Sequence, residues 1–388
     1  MKTIPKIILF ILIVFTIGFF SLKYINQKYV TQPLVFENTE WLEWNYFDFG
    51  KGNKNLENFA DNIVSKLSDE QLAGMVLMPA LEKHSDINNF AELFKKYHLG
   101  GYMVLGREVR STEQNLINKN INSDLPVLVA VDAEPSLLKN RLPGLSFKNE
   151  TQNLNSDKKI NYSVNRISKY LKQKSVNINF APVYDNGKNK VVIGDRAFST
   201  DNEIVKQRAQ LFANITYENN IFPTAKHFPG HGNVIGDTHK ILSTINGEME
   251  ELENFKHAID NNIPIIMVGH LAVENNKKWN TNGKPATLSR NIMIDLLRND
   301  LSFDGIIITD AMNMGALNNF DHVELQALKS GADIVLMPRN IHSAYSDILR
   351  EIKNNPEFKI ALLEKVQRIV KMRYVIKSSH IVTNKKSA

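Results

Sequence analysis

Eight short apolar runs recur along this 388-residue chain, each followed by a polar loop and a stretch of amphipathic helical length. They are "AGMVLMP" (73 to 79), "GGYMVLG" (100 to 106), "PVLVAVDAE" (126 to 134), "VNINFAPVYD" (176 to 185), "IFPTAKHF" (221 to 228), "IPIIMVGH" (263 to 270), "FDGIIITDA" (303 to 311) and "ADIVLMP" (332 to 338). Near-continuous apolar strands are those covered on both faces, and the helical stretches between them are the crossovers that parallel strands need. Eight such units predict an α/β fold, a (β/α)8 TIM-type barrel, with a doubly wound open sheet as the structural alternative. An apolar content of 43% is ample for its core.

Polar residues gather at the C-terminal ends of these runs: Asp132 and Glu134, Asp185, Lys226 and His227, His270, Asp310. Barrel sites form at that rim, where the strands point and the connecting loops converge. One such residue reads as the cap of the next helix; several together read as a site.

The flanks carry different information. "MKTIPKIILFILIVFTIGFFSLKYINQK" has lysines at 2, 6 and 23 around an unbroken apolar run from Ile7 to Phe20, which predicts an N-terminal transmembrane or signal helix over 1–25. No small-x-small cleavage site follows, so a retained anchor is favoured over a removed signal peptide. Lys2 and Lys6 would hold the N-terminus in the cytoplasm, leaving the rest of the chain extracytoplasmic and membrane-anchored, or secreted if the segment is cleaved. Residues 26–55 read as a linker whose aromatic cluster, Trp41, Trp44, Tyr46, Phe47 and Phe49, packs against the base of the domain that follows. That domain spans 56–377 and ends on an amphipathic helix from about Phe358 to Tyr374; 378–388 reads as a frayed tail.

The net charge of +6 is spread among asparagines and forms no basic stripe, so nucleic acid is not an expected partner. The absence of cysteine excludes disulfides, thiolate chemistry and lipid attachment to an N-terminal cysteine. Sequons at Asn149, Asn161 and Asn214 are discounted as chance matches in an asparagine-rich chain. The expected form is a monomer without cofactor.

The densest chemistry lies in "AKHFPGHGNVIGDTHK", Ala225 to Lys240. A metal reading is open by residue type, through His227, His231, Asp237 and His239. Phe-Pro-Gly between the first two histidines cannot be helical, so their spacing does not set them on one helix face as metalloprotease motifs do, and no metal is expected. A structural reading suits His231. Acid and base catalysis suits "DTH": in an extended or turn conformation Asp237 and His239 point the same way. The carboxylate can hold one imidazole nitrogen and leave the other facing a substrate, with the imidazolium favoured as a proton donor.

"KHFPGHG" followed by "GDTH" closely resembles the signature of glycoside hydrolase family 3, in its β-N-acetylglucosaminidase branch. The likeness extends from about residue 60 to 370 and includes "VNINFAPVYDNGKNKVVIGDRAFS", "IPIIMVGHLAV", "KPATLSRNIMIDLLRNDLSFDGIIITDAMNMGAL" and "ALKSGADIVLMP". The resemblance implies that Asp310 is the nucleophile and that His239, oriented by Asp237, is the general acid and base. It also implies that Asp132, Arg141, Arg196, Lys226 and His227 hold the terminal sugar, a carbohydrate such as an aminosugar glycan or muropeptide. The reaction implied is retaining exo-hydrolysis of terminal β-linked N-acetylglucosamine through a covalent glycosyl-aspartate. The chain departs from the family pattern in "DAEPSLLKNRLPG", where two glycines are absent, Leu137 fills an arginine position and Arg141 is displaced by one residue. The alternatives are a phosphorylase on the same fold and a non-catalytic wall-binding protein.

Overall fold

The computed structural model describes residues 53–119, 125–145, 150–234, 236–238 and 240–386. The expected membrane segment and nearly all of the 26–55 linker therefore lie outside the described residues, as does His239. Among the described residues no helix is long and apolar enough to cross a membrane.

Every one of the eight apolar runs contains strand residues. The strands are β1 (Leu77–Met78), β2 (Ala80–Glu82), β3 (Gly101–Leu105), β4 (Leu128–Val131), β5 (Ile178–Asn179), β6 (Phe222–Phe228), β7 (Ser243–Asn246), β8 (Ile265–Val268), β9 (Leu271–Glu274), β10 (Ile306–Thr309) and β11 (Val335–Leu336). Seven of them form one parallel sheet in the order β10-β8-β6-β5-β4-β3-β2. β1 precedes β2 across Pro79 and pairs in parallel with β11, and Ile334 bridges Ile308 of β10. The sheet thus curls until its first strand meets its last through β11. β3, β4, β6, β8 and β10 are buried or nearly so throughout, which explains why their sequences do not alternate.

Helices cover the outside, and most begin where a side chain can cap them. Ser68 and Gln71 form a reciprocal capping box before Asp69–Met75. Asp86, Ser156, Asp201 and Asn340 accept backbone N–H groups at the starts of Ile87–Tyr97, Asp157–Gln173, Asn202–Glu218 and Ile341–Asn354. Each of the first two of these, and the last, turns an apolar stripe to the sheet, with Phe90, Phe94, Ile160, Ile167 and Ile348 buried.

Three features depart from simple strand and helix alternation. β7 and β9 pair with each other as a separate two-stranded parallel sheet. A π-helical stretch, Asn291–Asp300, occupies the crossover between β8 and β10. The last helix runs Pro356–Lys386, past Tyr374 and through most of the segment expected to fray.

At the N-terminal end of the strands, Asp333 is fully buried and takes the Ile307 N–H at 2.7 Å. It pairs with Arg298, and with Arg368 at 3.0 Å. The C-terminal ends carry a different set of charges.

Candidate active site

β4 ends at Val131, and the next residues place two carboxylates two positions apart, Asp132 and Glu134, so both face the rim. β6 supplies their partners. Its pairing with β8 slips between Lys226 and Phe228, and a bulge of this kind re-aims side chains. Lys226 Nζ lies 2.8 Å from Asp132 Oδ1 and 2.5 Å from Glu134 Oε1. Arg196, on the turn Gly194–Arg196, forks onto Glu134 with Nε at 2.8 Å from Oε2 and Nη2 at 2.7 Å from Oε1. Its Nη1 donates to the Val192 carbonyl at 3.0 Å. Arg141 Nε stands 3.6 Å from Asp132 Oδ2 and is a third exposed.

Burial opposes ionisation of Glu134, yet the adjacent Arg196 and Lys226 charges prevail and hold its carboxyl far below the usual range. Burial likewise works against the Arg196 cation, and Glu134 more than restores it. The result is a dry, charge-balanced network at one side of the rim.

Asp185 follows β5 and is fully buried. Its Oδ2 receives His227 Nδ1 at 2.6 Å, and its two oxygens receive the His227 N–H at 3.1 and 3.0 Å. Oδ1 also takes the His231 N–H at 2.8 Å. In the neutral ring a carboxylate against Nδ1 fixes the proton there and leaves the lone pair on Nε2, 3.4 Å from Arg196 Nη2. Burial would raise the Asp185 carboxyl, but the His227 charge and hydrogen bond outweigh it and the net shift is downward.

The loop after β6 is shaped by close approach. A Cβ on Gly232 would stand 2.0 Å from the Asn186 carbonyl oxygen and 2.4 Å from Glu251 Oε1, so no side chain fits. Gly230 has φ +132, a conformation L side chains rarely adopt. Glu251 accepts the Gly232 N–H at 2.7 Å from beneath. Burial, and then the Asp185 charge, push the Glu251 carboxyl up to about 8.

His231 has the structural part expected of it. Burial and the neighbouring His227 lower its pKa, so it is neutral near pH 7. Asn189 Nδ2 donates to its Nδ1 at 3.3 Å, which leaves Nε2–H to donate to Thr238 Oγ1 at 2.8 Å. The Thr238 carbonyl in turn accepts the Ala316 N–H at 3.2 Å. Thr238, the residue between Asp237 and His239, is thereby fastened to the segment that follows Asp310.

Asp310 closes β10 and accepts the Ala311 N–H on Oδ1 at 2.8 Å. No helix starts at this point; the chain turns and then makes the short 3-10 helix Gly315–Leu317, so the capping alternative does not apply. Burial raises the Asp310 carboxyl, whereas the charges of His227 and His270, the Ala311 N–H and Lys226 together hold it below the usual range. His270 donates Nε2–H to the Ala311 carbonyl at 2.9 Å and meets Thr287 Oγ1 at 2.8 Å, pinning the backbone next to Asp310.

A cavity of about 390 Å³ opens over the C-terminal ends of the strands and is lined by Asp132, Arg141, Arg196, Lys226, His227, Asp237 and Asp310 among others. Every expected site residue within the described chain is therefore brought to one place. His239 lies outside the described residues, between Thr238 and Lys240. Asp237 Oδ2 stands 3.8 Å from Lys240 Nζ. Among the described residues no group of three or more His, Cys, Asp or Glu could hold a metal ion. Glu134, Asp185 and His270 are strand-end residues to which the sequence motifs assign no role, and they hold Lys226 and Arg196, His227, and the Ala311 carbonyl respectively. Arg196 pairs with Glu134, not with the nearby Asp195 or Asp201.

The chain resembles known proteins over this same region. It is 29% identical over 293 residues to "Beta-hexosaminidase A" of Pseudoalteromonas piscicida, covering 67% of this chain and 49% of that one. The chain thus spans about half the length of that curated relative. Among solved structures, a glycoside hydrolase family 3 beta-N-acetylglucosaminidase from Paenibacillus sp. str. FPU-7 superposes with a TM-score of 0.72 at 24% identity, covering 81% of this chain and 63% of that one. A beta-glucoside phosphorylase bound to 2FGlc superposes with a TM-score of 0.75 at 19% identity, covering 84% and 62%. At these identities the solved structures establish the fold. The glycosyl hydrolase family 3 N-terminal domain matches residues 67–372, and with most of its length inside that match the chain belongs to this family.

Proposed function

We propose that this chain is a (β/α)8-barrel retaining exo-β-N-acetylglucosaminidase that removes terminal β-linked N-acetylglucosamine from peptidoglycan fragments or aminosugar oligosaccharides. The observation that carries this reading is the meeting of Asp310 with Asp237 and Thr238 around one cavity, fastened by the bond from the Ala316 N–H to the Thr238 carbonyl. His239 protonates the glycosidic oxygen while the Asp310 carboxylate attacks the anomeric carbon; the bond to the leaving group breaks and a glycosyl ester forms. Neutral His239 then takes a proton from water, whose oxygen displaces Asp310 with net retention. Asp237 holds the ring in the required tautomer throughout.

The opposite wall suits a polyhydroxylated ring. Lys226 and Arg196 offer donors, Asp132 and His227 Nε2 offer acceptors, and Arg141 stands at the edge. A cavity of 390 Å³ is at the small end of ligand sites, which run from about 300 to 1,000 Å³, and supports capture of one terminal sugar. The apolar N-terminal segment, Ile7 to Phe20, supports an anchored enzyme working outside the cytoplasm.

The test uses paired chromogenic β-N-acetylglucosaminide and β-glucoside substrates with the full chain and its Asp310→Ala and His239→Ala variants. Release from the first substrate alone, lost in both variants with a glycosyl ester detectable on Asp310 in the parent, is the expected result. Retention of activity by Asp310→Ala ends the proposal. The fold of the beta-glucoside phosphorylase, and an acid and base that becomes neutral and so does not repel an anion, support a second reading in which phosphate replaces water. Turnover that requires phosphate selects it.

A further inference from the structure

The helix Asp157–Gln173 buries Ile160, Val164, Ile167 and Leu171, and the side it turns outward is cationic. At 3.6 residues per turn, Lys158, Tyr162, Arg166, Lys169 and Lys172 share one face about 120° wide, opposite the buried stripe. All five are exposed, Tyr162 by 63%, and the line from Lys158 to Lys172 is about 21 Å long. Asp157, in the first turn, is the one acidic residue of this helix. The expectation that the positive charge forms no stripe is corrected here: cations scattered among asparagines in the sequence fall into register on the helix.

The ammonium groups of Lys158, Lys169 and Lys172 make no ion pair or hydrogen bond among the described residues. Lys159, off this face, is held by the Asn153 carbonyl at 3.3 Å and Asn155 Oδ1 at 3.0 Å. Arg166 and Lys169, and Lys169 and Lys172, are like charges three residues apart, an arrangement that repels within the helix and is relieved by a bound anion. The helix alongside, Asn202–Glu218, is joined to this one where Asn219 Nδ2 donates to Asn165 Oδ1 at 3.0 Å, and it shows Glu203, Gln207 and Glu218 to solvent. The positive field is therefore a line one helix wide, bordered on that side by neutral and acidic groups. A bilayer surface calls for a broad patch, whereas a line fits a linear chain of anions. Tyr162 alone gives no ladder of rings on which bases could stack. We infer that this face binds a linear, base-free polymer of phosphate groups laid along the helix from Lys158 to Lys172.

The probe is fluorescently labelled long-chain inorganic polyphosphate, titrated by anisotropy against the full-length protein in a non-ionic detergent. With the four cations engaged, each contributing a salt slope of about 0.7, affinity falls about 50-fold between about 50 and 200 mM salt. Lys158→Gln, Lys169→Gln and Lys172→Gln each weaken binding, and the triple variant brings the slope down to about that of a single contact. A second triple variant, Lys83→Gln with Lys277→Gln and Lys284→Gln, removes the same charge from exposed positions elsewhere and keeps the binding. Glutamine forms helices about as well as lysine and exposed substitutions cost little, so folding is not at stake. Failure of the parent to bind, or an equal loss in the two triple variants, overturns the inference. Displacement of the polyphosphate by phosphatidylglycerol at equal phosphate concentration marks the helix as facing lipid and overturns it as well. Turnover plays no part in these readings, so they stand apart from the glycosidase proposal.

Discussion

Glu134→Gln removes one charge from a buried part of the site while keeping the shape of the side chain. Glu134 is 1% exposed and serves two cations at once, Lys226 at 2.5 Å and Arg196 through both guanidinium arms. With Gln in place, Lys226 and Arg196 share Asp132 as their nearest carboxylate, and the Arg196 fork faces a neutral amide that can accept at one atom only. Breaking a buried pair by removing one partner costs about 3–5 kcal/mol, because the other charge remains buried without compensation. The amide keeps some hydrogen bonding, so the low end, about 3 kcal/mol, applies. For a chain of this size roughly 2 °C accompanies each kcal/mol, giving a fall in Tm of about 6 °C at pH 7.

The pH dependence supplies the sign. The folded-state pKa of Glu134 is depressed, so its contribution is complete above the unfolded value of about 4.5 and is lost as pH falls below it. The gap between parent and variant should therefore be widest at neutral pH and narrow in acid. Thermal unfolding followed by circular dichroism at pH 7 and pH 3.5 measures both. Adding Arg196→Met to the variant removes the uncompensated cation and should recover part of the loss, an interaction energy that a double-mutant cycle isolates. A fall in Tm under 1 °C at pH 7, with no recovery in the double variant, would refute the view that a charge-balanced network holds this wall.

Two further outcomes follow from the residues behind the site. Asp185→Asn offers His227 Nδ1 an amide N–H in place of a carboxylate, moving the ring proton to Nε2 where it opposes Arg196 and can no longer accept from a substrate hydroxyl. A loss of about 10- to 100-fold in kcat/KM, mostly in KM, is expected from a lost charge-assisted bond; unchanged KM would show that the tautomer does not matter. Glu251 has a raised pKa of about 8, so the folded state favours its protonated form and stability declines as pH rises from the unfolded value, about 4.5, towards 8. Glu251→Gln keeps an acceptor for the Gly232 N–H and cannot ionise. Its Tm should overtake that of the parent progressively between pH 5 and 8, whereas parallel curves would contradict the assignment.

The parts of this molecule legible in sequence are those set by local pattern. Strands covered on both faces read as unbroken apolar runs, and all eight runs hold strand residues. β7, with the burial pattern in–out–in–out, and β9 are not legible in the sequence because four residues each carry too little periodicity to stand out beside the longer runs. Arg196 shows the limit more sharply. Asp195 and Asp201 are the carboxylates next to it along the chain, yet its partner is Glu134, 62 residues away. Desolvation decides this choice: Glu134 is buried and offers both oxygens to the fork, while Asp195 and Asp201 lie outside it. A signal was present, since alternate residues on a strand share a face and Asp132 cannot turn to the rim without Glu134. Nothing comparable linked Asp185 to His227 across 42 positions.

Charge explains why the proposed nucleophile and its surroundings can coexist in so dry a place. His270, fully buried, has its pKa lowered by desolvation and is neutral near pH 7, so its charge supports Asp310 only in acid. The other supports are His227, the Ala311 N–H and Lys226, and Lys226 is already divided between Asp132 and Glu134. Asp310 is therefore ionised without being tightly paired with any one cation. That distinction matters for attack on carbon: a carboxylate locked in a fork such as the one Arg196 gives Glu134 has its lone pairs committed, while Asp310 keeps one oxygen free of the bond to Ala311. The two carboxylates differ in environment and not in type, and the same rim uses one to hold cations in place and leaves the other able to react.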